Sequence, residues 1–218
     1  SSVLYIDLGC QVEGASYLAN GINNGAAYVF NRDDTGWKQT TYLKPSHTFI
    51  GTNFGSAVAL SGNGDLAVIG AKGDTSGKFD SEGKTLINSN TSNSLKTLSG
   101  EVKKGRVYLF KQQNGAWAKA GELTASTPRV GFEFGQSVAV SKDGSTIAVA
   151  TYRDASKATG INGDEGNTDA KNAGAVYVFT QDGASWKQKS YVKASNTDSE
   201  DRFGQNVSLS EDGTTMAV

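Results

Sequence analysis

Apolar runs of four to six residues such as SVAV, TIAVA and AVYVF recur between clusters of Gly, Asn and Asp, without the three-to-four-residue spacing of an amphipathic helix. Such runs predict strands. In the stretch from 134, strand A is SVAVS, B is TIAVAT, C is AVYVFT and D is SWKQKSYVKA. Asp143-Gly144 and Asp182-Gly183 mark tight A–B and C–D hairpins, with glycine where a positive φ is needed. Gly62-Asn63-Gly64, Asp212-Gly213 and Asn114-Gly115 repeat the device, and Asp33-Asp34-Thr35-Gly36 is a longer version. Strands A to C are apolar at most positions, which predicts burial on both faces. Strand D alternates Trp, Gln and Lys with polar neighbours and is expected nearer solvent.

The strands fall into tandem units. FGSAVALS at 54–61 recurs as FGQSVAVS at 134–141 and FGQNVSLS at 203–210. GAAYVF at 25–30 returns as GRVYLF at 105–110 and GAVYVF at 174–179, followed by Trp37, Trp117 and Trp186. All three series are offset by 80 and then 69 residues. A four-stranded meander with two apolar faces must stack on its siblings. Radial stacking predicts an all-β fold, a β-propeller of four-stranded antiparallel blades with A innermost and D at the rim; a β-sandwich or β-solenoid is the alternative. The frame reads B-C-D over 1–44, full units over 54–125 and 134–195, and A-B over 203–218. About three blades do not close a ring. The expectation is a part of a larger ring, an assembly in which the last A–B hairpin pairs with a neighbour's C and D strands, or a self-contained irregular fold.

Charge narrows the partners. Twenty-one basic against 22 acidic residues in 218 leave a formal net charge of −1, with no electrostatic drive toward nucleic acid or anionic lipid. No run approaches 18 apolar residues, so direct membrane insertion by a helix is not expected. A single Cys and a single His exclude an internal disulfide, a Cys-based zinc cage and any site built on several imidazoles.

These repeats resemble the FG-GAP repeat, the blade unit of integrin α-subunit propellers and of many bacterial surface and secreted proteins, the bacterial version most of all. The resemblance covers nearly the whole chain and rests on Phe54-Gly55, Phe134-Gly135 and Phe203-Gly204, on GAVYVF, and on WxQxxYxKAS. The GAP element survives only as Gly70-Ala71 and is replaced by Ala150-Thr151 in the next unit. The resemblance implies an extracellular or cell-surface module for binding and adhesion, with a protein or glycan ligand. It does not extend to the calcium loops of integrin-type A–B hairpins: SGNGDLAV, SKDGSTIAV and SEDGTTMAV are too short and too poor in carboxylates.

Binding residues are expected in the long B–C loops, about 7–24, 72–104 and 152–173, which share a face with the D–A connections. Tyr5, Tyr17 and Tyr152, near or within these loops, and Asp154 are the candidate ligand contacts. The loop from Asp154 to Asn172 concentrates oxygen ligands. Asn162, Asp164, Asn167 and Asp169 stand at two-residue spacings that suit Ca²⁺ and equally suit a solvated turn. The loop from Lys72 to Lys104, with Asp74, Asp80 and Glu82 among its carboxylates, reads as mobile or as a recognition loop. The three tryptophans are expected between blades, and His47 and Cys10 carry no evident chemistry. No GxSxG, HExxH or P-loop signature occurs, so the expectation is a binding module and not an enzyme. A structural subunit of a surface assembly or filament, self-associating through open blade edges, and a propeller-scaffold enzyme are the alternatives.

Overall fold

The computed structural model describes residues 24–45, 51–74 and 104–218, together with the backbone of 2–7. Thirteen strands and no helix are found among them. Strands β1 (Ser2–Asp7), β2 (Ala26–Asp33) and β3 (Gly36–Leu43) form a three-stranded sheet. Two four-stranded sheets follow, one of β4 (Phe54–Leu60), β5 (Leu66–Ala71), β6 (Arg106–Gln113) and β7 (Ala116–Leu123), the other of β8 (Ser137–Val140), β9 (Thr146–Thr151), β10 (Ala175–Asp182) and β11 (Ser185–Val192). A hairpin of β12 (Ser208–Leu209) and β13 (Met216–Ala217) completes the set. Every sheet is an antiparallel meander of sequential strands.

The sheets stack because alternate side chains of one strand point to opposite neighbours and both sets are apolar. On β5, Ala67 and Ile69 pack toward the first sheet with Val29 and Phe54. Leu66 and Val68 on the same strand pack the other way, with Phe134, Val149 and Tyr177. The β8–β11 sheet then meets Phe203, Leu209 and Met216 through Ala139, Ala148 and Val176. The first strands of successive sheets, β4, β8 and β12, approach one another. That places A strands inward and D strands outward, and the architecture is a β-propeller built of four-stranded antiparallel blades. Trp117 and Trp186 pack on inter-blade clusters, whereas Trp37, on a sheet with a described neighbour on one side only, is 48% exposed.

The recurring Gly and Phe-Gly motifs meet across the blade seam. Parallel bridges join Gly25 to Phe54, Gly105 to Phe134 and Gly174 to Phe203. The Phe134 amide donates to the Lys104 carbonyl at 3.1 Å, and Phe54 and Phe203 donate likewise to Asn24 and Ala173. A Cβ on Gly105 would stand 2.2 Å from the Phe134 carbonyl oxygen, so only glycine permits this approach. The rings of Phe54 and Phe134 then sit edge-on to the tyrosine of their own strand C, Tyr108 and Tyr177, both at 5.5 Å.

At the opposite end, Ser and Asp side chains close the A–B hairpins. Asp143 Oδ1 accepts from Ser141 Oγ at 2.6 Å and from the Ser145 amide at 3.0 Å, while Ser141 Oγ accepts from the Thr146 amide at 3.0 Å. Ser61 with Asn63 and Ser210 with Asp212 repeat this pattern. Neighbouring hairpins are bonded in series, Gly62 to Lys142 and Lys142 to Glu211, through backbone N–H donors at 2.9 and 2.7 Å. The register between C and D slips once per blade, after Val29, Leu109 and Val178. These bulges increase local twist on the outermost strand, a device that discourages edge-to-edge pairing.

Candidate functional site

The loop that leaves β9 and returns to β10 is described throughout, and it is rooted by Asp154. This aspartate is 1% exposed. Its Oδ1 accepts from the Ser156 amide at 2.9 Å, Tyr191 Oη at 2.8 Å and Lys193 Nζ at 3.0 Å, and its Oδ2 accepts from Tyr177 Oη at 3.2 Å. Four donors, one of them the buried Lys193 cation, compensate the cost of holding a carboxylate out of water. Burial and the neighbouring Asp154 charge push the Tyr177 and Tyr191 hydroxyls well above their ordinary range. Burial lowers Lys193, and the Asp154 carboxylate opposes that shift. The tyrosine hydroxyls therefore stay protonated near neutral pH and serve as donors to the Asp154 carboxylate.

From this root the loop folds onto the outside of β11. The Asn162 amide donates to the Tyr191 carbonyl at 2.7 Å, its Oδ1 accepts from the Tyr191 amide at 2.9 Å, and Ile161 bridges Val192. Glu165 then ties the loop to the preceding D–A connection. Its carboxylate accepts from Ser126 Oγ, from Thr127 Oγ1 at 3.2 Å and from Gln188 Nε2 at 2.7 Å. Arg129 donates to the carbonyls of Glu165 and Gly166. The loop is thus fixed at three places and carries exposed Ile161 outward.

The calcium candidates are distributed along the loop. Asn162 lies against β11, as above. Asp164 Oδ1 accepts from the Gly166 amide at 2.7 Å. Asn167 and Asp169 come together: Asn167 Oδ1 accepts from the Lys157 and Asp169 amides at 2.9 and 3.0 Å, and its Nδ2 donates to Asp169 Oδ2 at 2.7 Å. Among the described residues, no three His, Cys, Asp or Glu side chains converge as metal ligands do.

Of the candidate ligand contacts, Tyr152 stands at the rim and Asp154 inside. Tyr152 is half-buried; its hydroxyl accepts from Arg153 Nε at 3.1 Å and faces Glu133 Oε2 at 3.4 Å. The Arg153 guanidinium lies over the Tyr152 ring, 5.4 Å from its centre, and pairs with Glu133 at 3.4 Å. Glu133 immediately precedes Phe134-Gly135 and has φ of 53°; Asn53 and Arg202, at the matching places, have 51° and 56°. An aromatic face backed by a cation and a carboxylate can stack on a sugar ring or hold a polar peptide side chain. Tyr5 stands on β1, the expected B strand, in register with Tyr28 and two residues before its end, and Tyr17, Cys10 and His47 lie outside the described residues.

Sequence reasoning missed Lys193, Tyr177, Tyr191 and the clamp role of Glu165. A signal was present: Tyr-x-Lys at 191–193 recurs at 42–44, and an Asp stands three residues beyond strands β5 and β9.

No family model and no curated protein matches the chain. Among solved structures it is similar to the periplasmic gluconolactonase of Pseudomonas aeruginosa, at 15% identity and a TM-score of 0.36 over 86% of this chain. The chain spans 39% of that protein. No helix among the described residues is long and apolar enough to cross a membrane.

Proposed function

We propose that the chain is an extracellular or cell-surface binding module of the FG-GAP type, which presents its B–C loops on one propeller face to a protein or glycan ligand. The observation that carries this reading is the Tyr152–Arg153–Glu133 platform beside a loop held at three places: a recognition surface on a rigid base. The repeat resemblance and the lack of nucleophile or acid–base signatures in the sequence favour binding over catalysis. Glycan and matrix-protein arrays probed with the chain and with Tyr152→Ala and Arg153→Ala variants test it. Specific capture that both variants lose, at unchanged melting temperature, is the expected result. Absence of capture, or capture indifferent to both changes, removes the reading.

Calcium on Asn162, Asp164, Asn167 and Asp169 belongs to the same proposal. A melting temperature raised by millimolar Ca²⁺ supports it, and an unchanged one removes it.

A further inference from the structure

The two four-stranded blades root their rim loops at the same place with different cations. Asp74 and Asp154 each stand three residues beyond the last paired residue of their second strand, Ala71 and Thr151. Both are buried, at 2% and 1% exposure. Each accepts a hydrogen bond from the tyrosine of the third strand, Tyr108 or Tyr177. Each also closes the neck of its loop, its main-chain carbonyl accepting from Gly105 at 3.2 Å or Gly174 at 3.0 Å. The segments between these necks, 75–104 and 155–173, differ in length, and that difference accounts for the change of repeat offset from 80 to 69 residues.

The compensating groups change together. In the third blade, Tyr191, paired in register with Tyr177, and Lys193 serve Asp154, while Ala175 opposite Thr151 carries no charge. In the second blade the residue in register with Tyr108 is Glu122, and Thr124 stands where Lys193 would be. There Arg106, opposite Ala71, reaches both carboxylates: its Nε lies 3.9 Å from Asp74 Oδ2 and its Nη1 bonds Glu122. The lysine at the end of strand D gives way to an arginine at the start of strand C, and the tyrosine in register gives way to a second acid, which Lys119 also pairs with.

We infer that Lys193 with Asp154 is a positioning pair that roots the rim loop, and that the cation it needs is exchangeable between the end of strand D and the start of strand C. This deepens the binding reading, because a loop rooted at its neck can change length and sequence without disturbing the blade. The anchoring itself is read on the free chain, so a failed array leaves it standing, and its own failure leaves the array result standing.

Hydrogen exchange followed by mass spectrometry on the whole chain tests it, with Lys193→Thr compared against the triple variant Ala175→Arg, Tyr191→Glu, Lys193→Thr. Leaving Asp154 buried without its cation should speed exchange at Asn162, Ala170 and Gly174 by about a hundredfold while β9 and β10 stay protected. The relocated cation should restore most of that protection. A third variant, Asp154→Leu with Lys193→Met, should keep the sheet but leave the loop exchanging fast, because Ser156, Tyr177 and Tyr191 lose their acceptor. Overturning results are unchanged loop exchange in Lys193→Thr, equal loss in loop and strands, a slow loop in the apolar variant, or a triple variant no better than the single one, including one that does not fold.

Discussion

The two ends of the blades use glycine and aspartate for different purposes. On the hairpin end, Gly183 has φ of 61° with nothing within 4 Å of the place a Cβ would take, and Asp143 is an exposed turn residue bonded to its own neighbours. On the loop end, Gly105 and Gly174 have φ of 79° and 85°, but a Cβ there would strike the next blade, and Asp154 is buried among groups 23 to 39 residues away. Local chemistry shapes each turn at the hairpin end, where Gly62, Lys142 and Glu211 also bond blade to blade, whereas contacts between distant segments decide both the glycines and the buried aspartate at the loop end. A regular rim thus tolerates change, while an irregular rim rests on a seam that does not.

Substitutions at the two ends test this contrast. Gly105→Ala should destabilise the chain most, by about 3 kcal/mol or more, because left-handed strain adds to loss of the Phe134 seam. Urea unfolding gives the value, and a cost below about 1 kcal/mol would break the distinction between the ends. Ser141→Ala removes a donor to Asp143 and an acceptor for the Thr146 amide, with an expected cost of about 1–2 kcal/mol in the same assay. Gly183→Ala meets only the conformational penalty and should cost about 1 kcal/mol. If it equals Gly105→Ala, the seam contributes nothing beyond φ.

The smallest effect is a pH dependence. Hydrogen bonds from Ser141 and Ser145 hold Asp143 at about 2, and Lys38 with Thr35 holds Asp33 at about 2. A carboxyl depressed by folding contributes stability above its unfolded value and loses it as pH falls through the folded value. Melting temperature should therefore fall between about pH 4 and pH 2. In Asp143→Asn the fall should be shallower; an identical acid profile would show that the hairpin carboxylate does not sense folding.

Strand positions, the tight hairpins and the inter-blade roles of Trp117 and Trp186 were legible in the chain because they follow from period-two alternation and turn chemistry, which act over two to six residues. The bulge in strand D was not. Its extra residues, Thr40, Ala120 and Lys189, share no side-chain type, and only the pairing register between strands C and D reveals them. Asp154 was legible as a loop carboxylate, and its burial was not. Its partners Tyr177, Tyr191 and Lys193 lie on other strands, and only antiparallel register brings them to one point.

From the amino-acid order alone came a repeating unit of four strands, its tight turns and its two apolar faces, since these depend on neighbours in sequence. Tertiary structure decided which glycines touch another blade, which aspartate is buried and which cation meets it. Those outcomes depend on distances between segments tens of residues apart, which are set when the sheets stack and not before.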